Sequence, residues 1–296
     1  MGSTSICVLG SANMDLVALV DRAPALGETV TGRSFVQMPG GKGSNQALAA
    51  ARAGADVRMI GAVGDDVFGA AIRNMLKENG VETAGLVSVA EPTGTAHIVV
   101  DAGGGNSIVV VPGANATVAQ LSESQRAVIR DCDTLLMQLE LPLEVVVEAA
   151  AWARACGTRV VLTPAPVVPL SNELLATVDL LVPNEHEAAL LTGVSDPTGA
   201  AQALLDDGVT AVVVTLGERG CLYLDADGAT SQPAPSVTAV DTTAAGDTFV
   251  GCLAVALGEG RNLSDALGWA TSAAVLSVQR VGASASMPYR AEIDAC

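Results

Sequence analysis

The segment Val240-Asp241-Thr242-Thr243-Ala244-Ala245-Gly246-Asp247-Thr248-Phe249 sets three small residues before a carboxylate, and Val250, Leu253, Ala254 and Leu257 follow at helical spacing. A small-residue turn therefore opens a helix. With no bulky side chain from Ala244 to Gly246, the free N–H groups of the first turn can close on an anion, and the positive end of the helix dipole adds to the attraction. Asp247 falls in that same turn, where the dipole and nearby N–H groups are expected to favour its ionised form. Such a carboxylate can accept a proton from a hydroxyl docked against it while a phosphoryl group occupies the cradle, which aligns the reactants for in-line transfer. Simple capping of the helix by Asp247 is the alternative that this turn, taken alone, leaves open.

A second segment, Pro39-Gly40-Gly41-Lys42-Gly43-Ser44-Asn45-Gln46, also precedes a helix, and its glycines permit close backbone approach to a ligand. It is not a Walker A loop, since that pattern needs Gly at position 36 and Ser or Thr at 43, where the chain has Val36 and Gly43. No G-x-G-x-x-G follows a strand either, which removes the main signal of a dinucleotide-binding dehydrogenase. Lys42 and Asn45 are instead candidates for contacts to sugar hydroxyls. Near the N-terminus, Asn13 and Asp15 in Ser11-Ala12-Asn13-Met14-Asp15 fall on one side of an extended chain. A carboxylate accepts from two hydroxyls while an amide both donates and accepts, so the pair suits a vicinal diol; an ordinary turn after a strand is the plainer reading.

The elements that must carry these residues are legible in the hydrophobic pattern. Short apolar runs at Ile6–Leu9, Val57–Ile60, Thr134–Met137, Arg159–Leu162, Leu180–Val182 and Ala211–Thr215 alternate with helical patterns. Helices are expected over Ser44–Ala53, Val67–Asn79 and Leu143–Cys156, each ending at a glycine, and another opens with the capping box Ser122-x-x-Gln125. This alternation predicts a single α/β domain over residues 1–296, doubly wound, with a mainly parallel central sheet flanked by helices. About residues 13–38 and 93–111 break the rhythm, the second as a hairpin around Asp101–Asn106. They are expected to form a small β-sheet lid that covers a cleft and buries its other face against a second subunit.

Composition bounds the chemistry further. Fifteen Lys and Arg against 32 Asp and Glu give a formal charge of −17, which disfavours nucleic acid and anionic membranes as partners. A phosphate must then be held locally, by backbone N–H groups, a helix N-terminus, a cation or a single Lys. The six cysteines never form C-x-x-C, and His97 and His186 are the whole supply of imidazole, so no zinc or redox motif is visible. The opening residues lack a signal-peptide pattern and no apolar run approaches a membrane span, so a cytoplasmic location is expected.

Together these residues resemble the phosphofructokinase-B type of carbohydrate kinase, the ribokinase-like members in particular, over nearly the whole chain. The di-glycine segment Gly40–Asn45 and the small-small-Gly-Asp segment Ala244–Asp247 match the two signatures of that family. Further matching elements are Leu136-Met137-Gln138-Leu139-Glu140, Pro164-Ala165-Pro166, Pro183-Asn184-Glu185-His186-Glu187 and Thr215-Leu216-Gly217-Glu218-Arg219-Gly220. The resemblance implies ATP-dependent phosphorylation of ribose at its 5-hydroxyl. Asn13, Asp15, Gly41, Lys42, Gly43, Asn45 and Glu140 would hold the sugar, Asp247 would remove the proton, and Ala244, Ala245 and Gly246 would form the anion hole. Asn184, Thr215, Gly217, Gly220, Gly246 and Thr271 would line the nucleotide, with Asn184 and Glu187 organising Mg²⁺ largely through water. A monovalent cation, K⁺ by resemblance, would be held at Asp241, Thr243, Ser277, Arg280, Gly282 and Ser286, several through backbone carbonyls, and a homodimer is expected.

Two departures stand out: Ala244 where many relatives have Gly, and Thr163 where an Asn is familiar. The second bears on the sugar pocket, so fructose, deoxyribose or a nucleoside is the rival acceptor. The supply of two Trp, two Tyr and three Phe for stacking a base argues against nucleosides. From another class, the chain could be a sugar sensor without turnover, against which the intact Ala244–Asp247 turn speaks.

Overall fold

Along the first strand, Ile6 and Val8 point into one hydrophobic cluster while Cys7 and Leu9 point into another. A strand buried on both faces is the mark of a parallel sheet covered by helices on either side. The computed structural model describes residues 3–296. Thirteen strands run through them: β1 (Ser5–Leu9), β2 (Asn13–Leu19), β3 (Ser34–Gly40), β4 (Asp56–Gly64), β5 (Leu86–Val89), β6 (Gly94–Val100), β7 (Asn106–Val111), β8 (Thr134–Met137), β9 (Arg159–Leu162), β10 (Leu180–Leu181), β11 (Ala211–Thr215), β12 (Cys221–Asp225) and β13 (Gly228–Gln232). Nine of them form one sheet in the order β13-β12-β11-β10-β9-β8-β1-β4-β5, all running the same way except β12, which pairs antiparallel with β11 and β13. The expected doubly wound α/β architecture is present.

The expected helices form with small shifts at their ends: Lys42–Arg52, Val67–Glu78 and Leu143–Cys156. Their stops are physical. Gly157 follows the third in the left-handed conformation, and the Ser122–Gln125 capping box starts the helix Glu123–Arg130 as anticipated. Helices Ala245–Gly258 and Leu263–Ser277 pack on the same face as Lys42–Arg52, burying Phe249, Leu253, Leu267 and Trp269. Gly251 makes the approach of the two site helices close, because a Cβ there would fall 2.8 Å from the Gln46 carbonyl oxygen and from the Ala49 Cβ.

The two segments that interrupt the rhythm do pair with each other. They build a second sheet in the order β3-β2-β6-β7, with β2 and β6 parallel and the outer pairs antiparallel. Its first rung aligns Asn13 with Gly40 and Gly94, so the lid is rooted at the candidate sugar residues. Its outer strand β7 is exposed throughout, and apolar side chains stand in water on both of its faces, Ile108 on one and Val109 on the other. Among the described residues, no helix is long and apolar enough to cross a membrane.

Candidate active site

The chemistry-bearing residues gather at the C-terminal edge of the parallel strands. β1 leads to Ser11 and Asn13, β8 to Gln138 and Glu140, β9 to Thr163, β10 to Asn184, and β11 ends at Thr215. This is where open α/β sheets present their crevice. Pairing of Asn184 with Thr215 between neighbouring loops brings the candidate nucleotide residues side by side.

Asp247 lies in the first turn of Ala245–Gly258 and is buried. Its Oδ2 accepts from Asn45 Nδ2 at 3.0 Å and its Oδ1 from Gln46 Nε2 at 3.1 Å. The two signature segments therefore meet in one place. Burial raises the Asp247 carboxyl above its ordinary range, opposed by the Lys42 charge and by the two amide donors, and reinforced by Glu140. The expected preference of Asp247 for its ionised form is thus opposed by desolvation, the largest of these influences. A carboxyl moved upward in this way is a better proton acceptor for a hydroxyl.

Around it sits a compact charged group. Glu140 accepts from the Ser11 hydroxyl and, at 3.1 Å, from the Lys42 backbone N–H. Burial, then the charges of Glu140 and Asp247, push Asp15 up to about 7. Burial disfavours the Lys42 charge, yet Asp247, Glu140, Glu187 and Asp15 together outweigh it and hold that ammonium above its ordinary value. Backbone economy makes the room. A Cβ on Gly40 would fall 2.3 Å from Oδ2 of Asp15, one on Gly41 2.7 Å from the Asn13 nitrogen, and one on Gly43 2.5 Å from the Gly10 carbonyl carbon. Asn13 is held by Asn115, whose Nδ2 donates to its Oδ1 at 2.7 Å, while the buried Oδ1 of Asn45 has no protein donor.

In the expected cradle the Ala245 N–H donates to the Thr242 carbonyl at 3.2 Å, and one element is strained. Ala244 caps the helix at φ 59°, the left-handed region, and no other non-glycine residue among those described has a positive φ. No acceptor among the described residues takes the N–H of Gly246 or Asp247, and a Cβ on Gly246 would meet nothing within 4 Å. Two backbone donors beside the carboxylate thus lack a protein acceptor, as a site for an incoming phosphoryl oxygen requires.

Other predicted residues divide. Asn184 and Glu187 form a reciprocal capping box, each accepting from the other's backbone N–H at 2.8 Å, so the helix-start alternative is what their bonded oxygens serve. The second oxygen of Glu187 has no protein donor among the described residues and acts on Lys42 through space, which fits a water-mediated hold on a divalent ion. Gly217 and Gly220 take positive φ in the loop after β11, where a Cβ on Gly220 would strike the Gln232 carbonyl oxygen. Thr271, beside Cys221, is buried with its hydroxyl unpartnered. Asp241 accepts from the Thr243 N–H and hydroxyl and from the Gly282 N–H at 2.8 Å. Burial works against that charge, but these donors prevail and keep its carboxyl below the usual range. Arg280 turns its side chain to Glu292, and the Ser277 and Ser286 hydroxyls bond carbonyls of their own turns. Arg280 can offer a cation only its backbone oxygen, while the two serines keep hydroxyl lone pairs as well.

Sequence reasoning gave no role to Gln46, Gln138, Ser11 or Asn115, and gave Thr163 only a bearing on the sugar pocket. Gln46 Nε2 also reaches Thr163 Oγ1 at 3.2 Å, and its Oε1 accepts from Gln138 Nε2 at 2.6 Å. Gln138 sits inside a matching segment and Gln46 directly follows one, but their burial was not visible in the sequence.

Comparison with known proteins agrees with this geometry. The model of the pfkB family carbohydrate kinases matches residues 3–290. A ribokinase of Bacillus subtilis is 44% identical over 295 residues, covering 98% of each chain. A ribokinase of Schizosaccharomyces pombe is 41% identical, covering 98% of this chain and 96% of its own. The solved structure of an Arabidopsis thaliana ribokinase complexed with ribose and ATP superposes with a TM-score of 0.93 at 34% identity, covering 99% and 98% of the two chains.

Proposed function

The chain belongs to the pfkB family of carbohydrate kinases, and from that premise we propose that it transfers the γ-phosphoryl group of ATP to the 5-hydroxyl of ribose, giving ribose 5-phosphate and ADP. The observation that carries the reading is the buried Asp247 carboxylate, held by Asn45 and Gln46 of the di-glycine helix, one residue from the open backbone donor of Gly246. Base and anion hole share one turn.

In the mechanism, Asn13, Asp15, Lys42, Asn45 and Glu140 bind the sugar hydroxyls, with Gly41 and Gly43 admitting the backbone close to them. Asp247 takes the proton of the attacking hydroxyl as the bond to phosphorus forms. The Ala244–Gly246 turn stabilises charge on the transferred group, and closure of the β2-β3-β6-β7 lid excludes water as a competing acceptor. ATP lies along Asn184, Thr215, Gly217, Gly220 and Thr271. Asn184 and Glu187 would hold the divalent ion, such as Mg²⁺, that accompanies ATP and that would neutralise phosphate charge.

Three finer points belong to the same proposal. A monovalent cation, K⁺, binds at the Asp241–Thr243 turn and the Ser277–Ser286 segment, where the low-lying Asp241 carboxyl favours positive charge just ahead of the anion hole. Two copies associate through their lids, a reading supported by Phe35 at 59% and Val109 at 65% exposure on one small sheet. The location is cytoplasmic, in keeping with a need for ATP and with six free cysteines.

The deciding assay is ADP release with ribose, deoxyribose, fructose or adenosine, each in K⁺ or Na⁺. Turnover greatest with ribose and raised by K⁺ is expected. Preference for another acceptor overturns the substrate, and no turnover with any sugar overturns the kinase reading.

A further inference from the structure

Gln46 and Gln138 are completely buried amides in a part of the protein where an apolar residue would pack as well. Three of their four amide ends are hydrogen-bonded, and the fourth, Gln138 Oε1, is buried without a partner among the described residues. Gln138 Nε2 donates to Gln46 Oε1, so that end of the Gln46 amide is an acceptor, and its other end must donate. It donates to Oδ1 of Asp247 and to the Thr163 hydroxyl. With Asn45 on Oδ2, the Asp247 carboxylate has a donor on each oxygen and cannot turn about its last bond without losing both. The support is rigid on two sides. A Cβ on Gly10 would lie 2.1 Å from Gln138 Oε1, and Gly251 lets the two helices touch at Gln46.

We propose that Gln46 is a positioning residue for Asp247, oriented in turn by Gln138, and that this amide pair aims the carboxylate at the acceptor hydroxyl. The inference rests on Asp247 being the proton acceptor. Gln46 is two bonds removed from the chemistry: it holds the base and leaves sugar recognition to Asn13, Asp15, Lys42, Asn45 and Glu140. The charges that face Asp247 are Lys42 from the start of the same helix as Gln46, Glu140 from the loop after β8, and Asp15 from β2. Removing the Gln46 donor leaves those unchanged and takes away one of the groups that oppose burial, so the Asp247 carboxyl rises further.

The test uses the full chain with Gln46→Met, Gln46→Glu and Gln138→Met, assayed for ADP release with ribose across about pH 5 to 9. Gln46→Met is expected to lower kcat about tenfold or more and to move the acidic limb of kcat upward by roughly one pH unit, with KM for ribose within about threefold. Gln46→Glu, which sets a second carboxylate against the first, should lose more, and Gln138→Met should shift the limb the same way by less. An unmoved limb, or a raised KM with kcat retained, overturns the proposal. Carbon-13 NMR titration of the Asp247 carboxyl in the substrate-free chain gives a second reading: an unchanged midpoint in both Gln46→Met and Gln138→Met also overturns it. Should the parent chain release no ADP, the kinase reading fails, while this titration still decides whether Gln46 holds Asp247.

Discussion

Asn45 donates a 3.0 Å hydrogen bond to Oδ2 of Asp247 although 202 positions separate them in the chain. One contact thereby joins the residue expected to hold the sugar to the residue expected to activate it. A hydroxyl bound by Asn45 is already within the neighbourhood of the base, so binding and alignment are one event.

Replacing Asp247 with Asn removes the acceptor and turns an amide toward two existing amide donors. Turnover should fall on the order of a hundredfold or more, with ribose and nucleotide still bound when titrated by calorimetry. Near-parental kcat would exclude Asp247 as the base.

Gly246→Ala separates cradle from scaffold. The new Cβ meets no protein atom within 4 Å, so thermal stability should hold or rise by up to about 1 kcal/mol from helix propensity. The methyl group nevertheless enters the space the phosphoryl oxygens need, and kcat should drop by about tenfold or more. A fully active variant would place the anion elsewhere.

Ala244→Gly probes the strained cap. The left-handed conformation costs an L-residue about 1–2 kcal/mol, and the greater freedom of unfolded glycine offsets about 0.5–1 kcal/mol of that. A net stabilisation of roughly 0.5–1 kcal/mol is expected in urea unfolding, with kcat within about threefold. Destabilisation would mean that packing of the Ala244 methyl on Leu48, Ala49 and Met287 outweighs the strain.

Asp15 predicts a pH dependence with a definite sign. Folded Asp15 keeps its proton up to about pH 7, whereas the unfolded chain releases it near ~4. Between those values the folded state binds more protons, so this group lowers stability as pH rises. Asp15→Asn should therefore melt several degrees above the parent at about pH 8 and show little difference near pH 4, while ribose affinity is lost at both. Equal melting temperatures across the range would contradict the burial of a charged Asp15.

The exposed apolar lid gives an assembly prediction. Ile108→Lys combined with Val109→Lys places a charge on each face of β7. Sedimentation should show a dimer for the parent and a monomer for the variant, with KM for ribose raised as the lid loosens. A parent that sediments as a monomer would refute association through the lid.

Local pattern determined a great deal. The strands of the large sheet, the helix stops at glycine and the turn at Ala244–Asp247 follow from side-chain period, backbone freedom and the absence of bulk, all of which are properties of neighbouring residues. The resemblance of Gly40–Asn45 and Ala244–Asp247 to a known family supplied the reaction. What the chain's order could not display is which buried polar groups face one another, since desolvation and hydrogen-bond partners come from distant segments. The helix start suggests a carboxylate that favours ionisation, whereas burial and Glu140 push the Asp247 carboxyl up against the opposing Lys42 charge and the Asn45 and Gln46 donors. Gln46 and Gln138 looked like unremarkable polar residues until packing closed them over the base, because an amide's direction is set only by what stands at its two ends.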